Sequence, residues 1–261
     1  MNILSRDTLA DQLAQELLSS VIEGSLPPGQ PLPSEAELAS MFGVSRAVVR
    51  EGLGHLKAIG AVAVTNGKKA VIKTPDHVPL ARIFGLTAAQ QPDELTQLLE
   101  ARCGIESECA FLAAERRTEL DLGTILHILG EMDDLIEKRT DFDAVQYAEC
   151  DRDFHLQVAR ASKNVLLERL AQSIREPMKH SILVGLSRQN SRAQHRRIQA
   201  THFQIAEAIR LGQSEQARAA MRQHLMGATR RILASNHSLP SRAGHTAVLL
   251  LPRHQEQGIG G

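Results

Sequence analysis

The sequence has little of what β-sheet proteins are rich in. It contains no Trp and one Tyr, and aromatic residues make up 3% of its 261 residues. Aromatic and β-branched residues favour strands, whereas Leu, Ala, Glu, Arg and Gln, which are abundant here, favour helices. We therefore predict a mainly α-helical protein.

Cysteine is also scarce, and this excludes a disulfide framework. The three cysteines, Cys103, Cys109 and Cys150, show no CxxC spacing, and any disulfide would leave one of them unpaired. Free thiols favour a reducing compartment. No apolar run approaches the length that crosses a membrane, and residues 1–7 lack the apolar core of a signal peptide. We expect a cytoplasmic protein with no membrane partner.

A net charge is missing as well, because 30 basic residues balance 30 acidic ones. The length exceeds that of a usual single core, and the 43% hydrophobic content suffices for two domains. The segment Thr74–Pro79 breaks regular structure, and helical periodicity resumes near Asp93. The predicted parts are an N-terminal domain at 1–75, a linker at 76–92, an all-helical domain at 93–236 and a disordered tail at 237–261.

The segment Leu32–Lys57 predicts two short helices joined by a tight turn. Ser34 and Glu37 have the spacing of a capping box at the start of the first helix. Gly43 can adopt the left-handed conformation that ends this helix, and Ser45 can cap the second one. This order of signals is typical of a helix-turn-helix.

Basic residues follow on the second helix and after it. Arg46 and Arg50 lie four residues apart, on the face opposite the apolar positions, and two exposed guanidinium groups suit the DNA major groove. The inward positions are Leu38 and Met41 in the first helix, and Val49, Leu53 and Leu56 in the second. Two short apolar runs then flank Asn66, Gly67, Lys68 and Lys69, which predicts a two-stranded basic wing. An ordinary helical hairpin with a solvated basic face is the alternative.

Three stretches of this region resemble the winged helix-turn-helix of the GntR family of bacterial transcription regulators. They are G-S-L-P-P-G-Q-P-L-P-S-E-A-E-L-A from Gly24, G-V-S-R-A-V-V-R-E from Gly43 and L-x-x-x-G-A-V from Leu56. The resemblance implies that Arg46 and Arg50 contact bases or the nearest phosphates of double-stranded DNA. Ser34, Ser45, Lys68 and Lys69 complete the predicted DNA-binding set.

Four residues of the second domain have the types and spacing of a metal site. Asp151 and His155 lie four apart, so a helix presents both on one face. His202 and His224 lie in two later helical segments, and a turn at Gly212 would bring them to one level as antiparallel neighbours. Three imidazoles and one carboxylate suit a divalent transition metal with open positions, Zn first, with Ni, Mn or Fe also possible. Scattered polar residues are the alternative.

The same residues resemble the FCD domain of the FadR subfamily, over about residues 94–234. The matching elements are D-x-x-x-H, Asn164 after A-S-K, a later His, and H-L after A-x-x-x-M. In that family the matching Asp and three His bind a metal. Arg102 matches a first-helix Arg that faces the cavity, which implies a clamp on a small carboxylate effector. Alternatively, Arg102 pairs with Glu106. Asn164 either lines the cavity or caps the following helix.

Together these features predict a metabolite-responsive bacterial transcription regulator rather than an enzyme. One recognition helix covers only a few base pairs, so we expect a homodimer on a short palindromic operator, acting as a repressor that its effector relieves. One alternative is a metal-dependent hydrolase or lyase fused to a DNA-binding head, with Glu149 or Asp153 as the base. A metal sensor, in which the ion itself is the signal, is another.

Overall fold

A computed structural model describes residues 7–65, 68–88, 94–137, 142–188 and 191–236. Across these ranges the chain is mainly helical with one small β-hairpin, so the predicted fold class is confirmed. It divides into two compact units between Pro79 and Leu80. Among the described helices, none combines the length and the apolar character that a membrane span requires. The predicted tail at 237–261 lies outside the described residues.

Within its described residues, 7–65 and 68–79, the N-terminal unit contains three complete helices and a hairpin. Its elements are α1 (Leu9–Ile22), α2 (Glu35–Phe42), α3 (Arg46–Ala58), β1 (Val62–Ala63) and β2 (Val71–Ile72). The strands pair antiparallel, with Val62 opposite Ile72. The Leu32 N–H donates to the Ala70 carbonyl at 2.7 Å, so the chain before α2 lies against β2. Asn66 and Gly67, predicted at the tip of the wing, lie outside the described residues.

The ends of α2 and α3 form as their capping signals predict. Ser34 Oγ accepts the Glu37 N–H at 3.3 Å, and Glu37 Oε2 accepts the Ser34 N–H at 2.6 Å. Gly43 ends α2 with a φ of 64°, in the left-handed region that glycine tolerates best. Ser45 Oγ then accepts the Val48 N–H at 3.3 Å. Local hydrogen bonds therefore set the turn between the two helices.

Packing inside this unit agrees with the predicted apolar faces, except at Met41. The α3 residues Val49, Leu53 and Leu56 are buried, but the Met41 side chain is 68% exposed, so its predicted inward position was wrong. Leu38 is the buried residue of this short helix and Ala39 packs against the same core, whereas Met41 lies in the last turn, on the exposed side. A Cβ at Gly52 would lie 2.9 Å from the Ala10 carbonyl oxygen, so α3 lies very close to α1.

The remaining helices belong mainly to the C-terminal unit. They are α4 (Val78–Ala88), α5 (Glu94–Arg116), α6 (Glu119–Glu137), α7 (Ala144–Ala161), α8 (Val165–Ser187), α9 (Arg192–Arg210) and α10 (Ser214–Asn236). Helices α5 and α10 pack along each other, and α7 packs against α5, α6 and α8. Their apolar faces enclose one large core around Phe154, Ile205 and Met221. This bundle is the scaffold of the histidine cluster.

Two segments are more helical than the sequence predicts. Helix α4 lies within 76–92, the predicted linker, and it begins where Asp76 Oδ1 accepts the Val78 N–H at 2.9 Å. Helix α8 also continues through Pro177, although a proline in a helix interior usually breaks or kinks the helix. Both Met178 and Ile182 are buried in the core, so a continuous apolar face holds the helix together across the proline.

Candidate functional site

The predicted DNA-contacting cations lie on the surface of the N-terminal unit. Arg46, Arg50, Lys68 and Lys69 are all exposed. Arg50 Nε lies 3.5 Å from Glu35 Oε2, and the two side chains are 66% and 44% exposed. Lys69 Nζ lies 3.5 Å from an oxygen of the α2 residue Glu37. Exposed ion pairs of this kind contribute little energy, so both cations can exchange a carboxylate for a phosphate at small cost.

The two predicted DNA-contacting serines are both helix caps. Each hydroxyl accepts a backbone N–H, which uses one of its lone pairs. A hydroxyl also carries one hydrogen, so Ser34 and Ser45 can still donate to a phosphate oxygen. Capping and the predicted DNA contact are therefore compatible at these positions.

In the C-terminal unit the structure brings Asp151, His155, His202 and His224 together. One potential ligand atom from each lies within 4.8 Å of the others, and all four residues are buried. Helix α7 presents Asp151 and His155 one turn apart, while α9 and α10 supply one histidine each. The turn between α9 and α10 ends at Gly212, whose φ is 67°, and the rings of His202 and His224 lie with centroids 4.3 Å apart.

Each histidine of this cluster has an oxygen atom beside its Nδ1 nitrogen. These oxygens are Glu106 Oε2, at an ion-pair distance of 2.6 Å from His155, Gln199 Oε1, 3.3 Å from His202, and Thr201 Oγ1, 2.7 Å from His224. Gln199 is itself held, because its amide nitrogen donates to the Leu129 carbonyl at 2.9 Å. Contacts at Nδ1 orient an imidazole and reserve Nε2 as a metal ligand.

Two of the Nε2 atoms are left unsatisfied. Nε2 of His155 and Nε2 of His202 are buried and make no hydrogen bond to any described residue, although Asp151 Oδ1 lies 3.3 Å from the latter. A buried polar atom without a partner is costly, and a cation would remove that cost. Three imidazole nitrogens and one carboxylate oxygen are a normal ligand set for Zn²⁺ and similar ions. The residues present therefore fit a divalent transition metal.

An ion-pair network surrounds the cluster. Arg175 Nη2 donates to Asp151 Oδ2 at 3.0 Å, and its Nη1 donates to Glu106 Oε1 at 3.1 Å. Arg102 Nε donates to the same Glu106 oxygen at 2.8 Å. The Arg102–Glu106 pair that the sequence left as one of two possibilities is thus present. Arg175 was not predicted, although it lies one position after the buried Ile174, on the apolar face of α8.

Burial and neighbouring charges set the protonation states of the side chains in the cluster. Burial lowers the pKa of His155 to about 4, although Glu106 opposes this shift. Burial, with His202 and His155 nearby, holds the pKa of His224 well below its ordinary value. Burial alone would raise the pKa of Asp151, but His155, His202 and Arg175 outweigh it and hold that pKa well below the usual range. At neutral pH His155 and His224 are therefore neutral and the carboxylate is charged, as metal ligation requires.

A cavity opens beside these residues. It is lined by Arg102, Asp151, His224 and Arg231, with an apolar wall that includes Ile182, Leu186 and Ile232. Arg102 thus pairs with Glu106 and also faces the cavity. Arg231 was not predicted, and its only signal in the sequence is its position seven residues after His224, on the same face of one helix.

Asn164 is the N-cap of α8. Its Oδ1 accepts the N–H groups of Leu166 and Leu167 at 3.1 and 3.2 Å. The residues that line the cavity do not include Asn164. Of the two roles that the sequence left open, the structure therefore has the cap.

The candidate bases of the hydrolase alternative lie elsewhere. Glu149 and Asp153 are both exposed on α7, whereas Asp151 between them is buried. Asp153 pairs with its neighbour Arg152 at 2.8 Å. Neither carboxylate is positioned to take a proton from a water molecule in the buried cluster.

Comparison with known proteins agrees with this architecture. Residues 9–72 match the family described as bacterial regulatory proteins, gntR family, and residues 97–227 match the FCD domain. The Glc operon transcriptional activator of Escherichia coli (strain K12) is 30% identical over 225 residues, covering 84% of this chain and 87% of the relative. The HTH-type transcriptional regulator LutR of Bacillus subtilis (strain 168) is 34% identical over 206 residues, covering 77% and 91%.

A more distant relative and a solved structure extend this comparison. The HTH-type transcriptional repressor NanR of Cronobacter sakazakii is 29% identical over 164 residues, covering 62% of this chain and 61% of the relative. The solved structure of Streptococcus agalactiae GntR is 27% identical and covers 85% of this chain and 99% of its own, with a TM-score of 0.62. The chain therefore belongs to the GntR family, as a DNA-binding transcription regulator with an FCD domain and not an enzyme.

Proposed function

We propose that this regulator is a homodimer whose binding to a short palindromic operator is controlled by a small carboxylate held at a metal in the C-terminal unit. The observation that carries the proposal is the buried cluster of Asp151, His155, His202 and His224, next to a cavity that Arg102 also lines. A guanidinium beside an open metal position suits a carboxylate, because the metal and the arginine bind different oxygens of the ligand.

On the DNA side, Arg46 and Arg50 enter the major groove from the exposed face of α3. Ser34, Ser45, Lys68 and Lys69 contact the phosphate backbone around them. A single short helix reads only a few base pairs, and selective binding in a genome needs two half-sites. Two copies of this unit, held in one dimer, therefore read a palindrome.

At the metal centre, Asp151 and the three histidines hold the ion. A bound divalent cation supplies a Lewis-acidic position for one carboxylate oxygen. Glu106, Gln199 and Thr201 orient the imidazoles through their Nδ1 atoms, and Arg175 fixes Asp151. Arg102 binds the effector's carboxylate and keeps it beside the ion. The cluster thus joins α7, α9 and α10 to α5 through one ligand.

Control of DNA binding follows from this junction of helices. An effector that binds one arrangement of the bundle more tightly shifts the dimer toward that arrangement. The size of the shift is limited by the difference between the effector's affinities for the two arrangements. We propose repression relieved by effector, the mode that the family resemblance implies, although the relatives include one activator and one repressor by name. In run-off transcription from an operator template, the effector should raise the transcript level. A fall would contradict this sign.

The DNA assignment is tested by Arg50→Ala. We expect loss of the preference for operator over random DNA, by about 1–3 kcal/mol if Arg50 makes a paired base contact. Arg222→Ala is the matched control. Arg222 is exposed on α10, and replacing it removes the same single positive charge. Titration of labelled operator and random duplexes measures the ratio. An unchanged ratio in Arg50→Ala would show that α3 is not the reading helix.

The effector site is tested by the double variant His202→Ala, His224→Ala. It should lose its bound metal and its response to carboxylates while keeping operator affinity in their absence. His127→Ala, which removes an exposed histidine of α6, is the control. Metal content by mass spectrometry and an operator shift assay give both readouts. If the double variant still responds normally to carboxylates, the model of a carboxylate held between the metal and Arg102 is wrong. If the metal alone changes operator binding without any acid, the protein is a metal sensor.

A further inference from the structure

The face of α3 that points directly away from the core carries one polar side chain. Successive residues of a helix lie about 100° apart around its axis, so the burial pattern fixes the direction of each position. The core-facing positions are Val49, Gly52, Leu53 and Leu56. The positions opposite them, which form the outermost strip of α3, are all exposed and are Ala47, Glu51, Gly54 and Ala58. Glu51 is therefore the one residue of this strip that can form a hydrogen bond through its side chain.

The Glu51 carboxylate has no ion pair or hydrogen bond within the described part of the chain. Its neighbours on the strip, Ala47 and Gly54, offer no side chain that could pair with it. A Cβ added at Gly54 would meet no atom within 4 Å. The adjacent Arg50 points along another side of the helix and lies 3.5 Å from Glu35. An unpaired carboxylate therefore projects from α3 with open space beside it.

A carboxylate is selective among the groups that DNA presents. An ionised carboxylate only accepts hydrogen bonds, so phosphate oxygens repel it and its partner must be a donor on a base. In the major groove these donors are the amino groups of cytosine and adenine. The adenine amino group lies next to N7, a second acceptor that repels a carboxylate, so the cytosine amino group is the better partner.

We infer that Glu51 accepts a hydrogen bond from one cytosine in each half-site of the operator and is a specificity-determining residue. This inference rests on the proposed function, because it requires α3 to be the helix that enters the major groove. Arg46 and Arg50 lie on one flank of the strip and contact neighbouring bases or phosphates from there. Ala47 and Gly54 keep the helix surface low on both sides of Glu51, which lets its side chain reach a base edge.

The test is a selection of binding sequences from a library of random DNA duplexes by the full-length chain, followed by sequencing. The wild-type motif should contain one C·G pair in each half-site whose replacement weakens binding about fivefold or more. Glu51→Ala should lose the preference at that pair and keep the rest of the motif. Glu51→Gln should prefer A·T there, because an amide both donates and accepts, which matches N7 and the amino group of adenine.

The two variants control for each other, because both remove one negative charge and a general rise in DNA affinity cancels in the preference between bases. Glu16→Gln, at an exposed position of α1, is a further control and should select the wild-type motif. A wild-type motif that persists in Glu51→Ala would overturn the inference and leave α3 as the reading helix. If the wild-type chain enriches no motif, or Arg50→Ala enriches the wild-type motif, the proposed function fails and the inference fails with it.

Discussion

In the N-terminal unit Arg50 lies 3.5 Å from Glu35 and its side chain is 66% exposed, whereas in the C-terminal unit Arg102 lies 2.8 Å from Glu106 and is 3% exposed. The chemical pair is the same, but its surroundings differ. Water screens the first pair, so Arg50 can leave Glu35 for a phosphate at little cost. The second pair is fixed, because separating it would leave a buried charge alone. Exposure therefore makes Arg50 suitable for contact with a polyanion. Burial makes Arg102 suitable for binding a ligand in a fixed position.

The largest expected effect comes from breaking the buried network. Glu106→Ala leaves Arg102 and Arg175 without their shared partner and removes the oxygen beside His155 Nδ1. We expect a loss of about 3–5 kcal/mol in the free energy of unfolding. Glu35→Ala, which breaks the exposed pair, should cost no more than about 1 kcal/mol. Urea unfolding of both variants measures the contrast, and equal losses would remove the distinction between the two units.

Acid should destabilise the metal-free protein next most strongly. Because burial holds the pKa of His155 at about 4 in the folded chain, against about 6.5 when unfolded, the unfolded state takes up the proton first as pH falls. Stability is therefore full above pH 6.5 and is lost between 6.5 and 4, by about 3 kcal/mol for this residue. The lowered pKa values of Asp151 and Glu106 act in the same direction, at lower pH.

This pH dependence is measured by urea unfolding at several pH values between 7 and 4. His155→Gln should make the profile less steep in this window, with the remaining slope due to the lowered pKa of His224, whereas His127→Gln, at an exposed position, should leave the profile unchanged. A wild-type profile that is flat down to pH 4 would show that His155 is not buried in its neutral form.

Substitutions of two glycines in α3 should have smaller effects, on the stability of the N-terminal unit. Gly52→Ala places a Cβ 2.9 Å from the Ala10 carbonyl oxygen, a backbone atom, so α1 must shift. We expect a loss of about 1–3 kcal/mol. Gly54→Ala meets no atom within 4 Å and should stabilise the helix by about 0.5–1 kcal/mol. Thermal melting of both variants compares them, and a stabilising Gly52→Ala would contradict the close approach of α1 and α3.

The smallest effect is expected at Glu35. Glu35→Gln removes the charge beside Arg50 but keeps the shape of the side chain. The free energy of unfolding should change by less than about 1 kcal/mol. Affinity for random DNA should rise, up to about fivefold, because Arg50 no longer has to separate from the Glu35 carboxylate before it contacts a phosphate. Glu51→Gln on α3 is a control for the change in net charge. An increase that is equal in both variants would assign it to net charge alone.

Much of the DNA-binding unit could be predicted because its signals are local. The caps at Ser34 and Ser45 and the turn at Gly43 each involve residues a few positions apart, and such hydrogen bonds depend little on the rest of the chain. Met41 was mispredicted for the opposite reason. Its position in the helical repeat was read correctly, but whether that face meets the core depends on where the chain goes after α2.

In the C-terminal unit the sequence itself determined the residue types of the Asp151, His155, His202 and His224 cluster, their helical spacing and the turn at Gly212. Only the tertiary structure decided that Glu106, Gln199 and Thr201 lie at the Nδ1 atoms, that Arg175 joins Glu106 to Asp151, and that Arg231 faces the same cavity. These contacts join residues on different helices, or set one side chain against another within a turn. Periodicity specifies the face of a helix on which a residue lies, but packing of the whole core decides what that face meets.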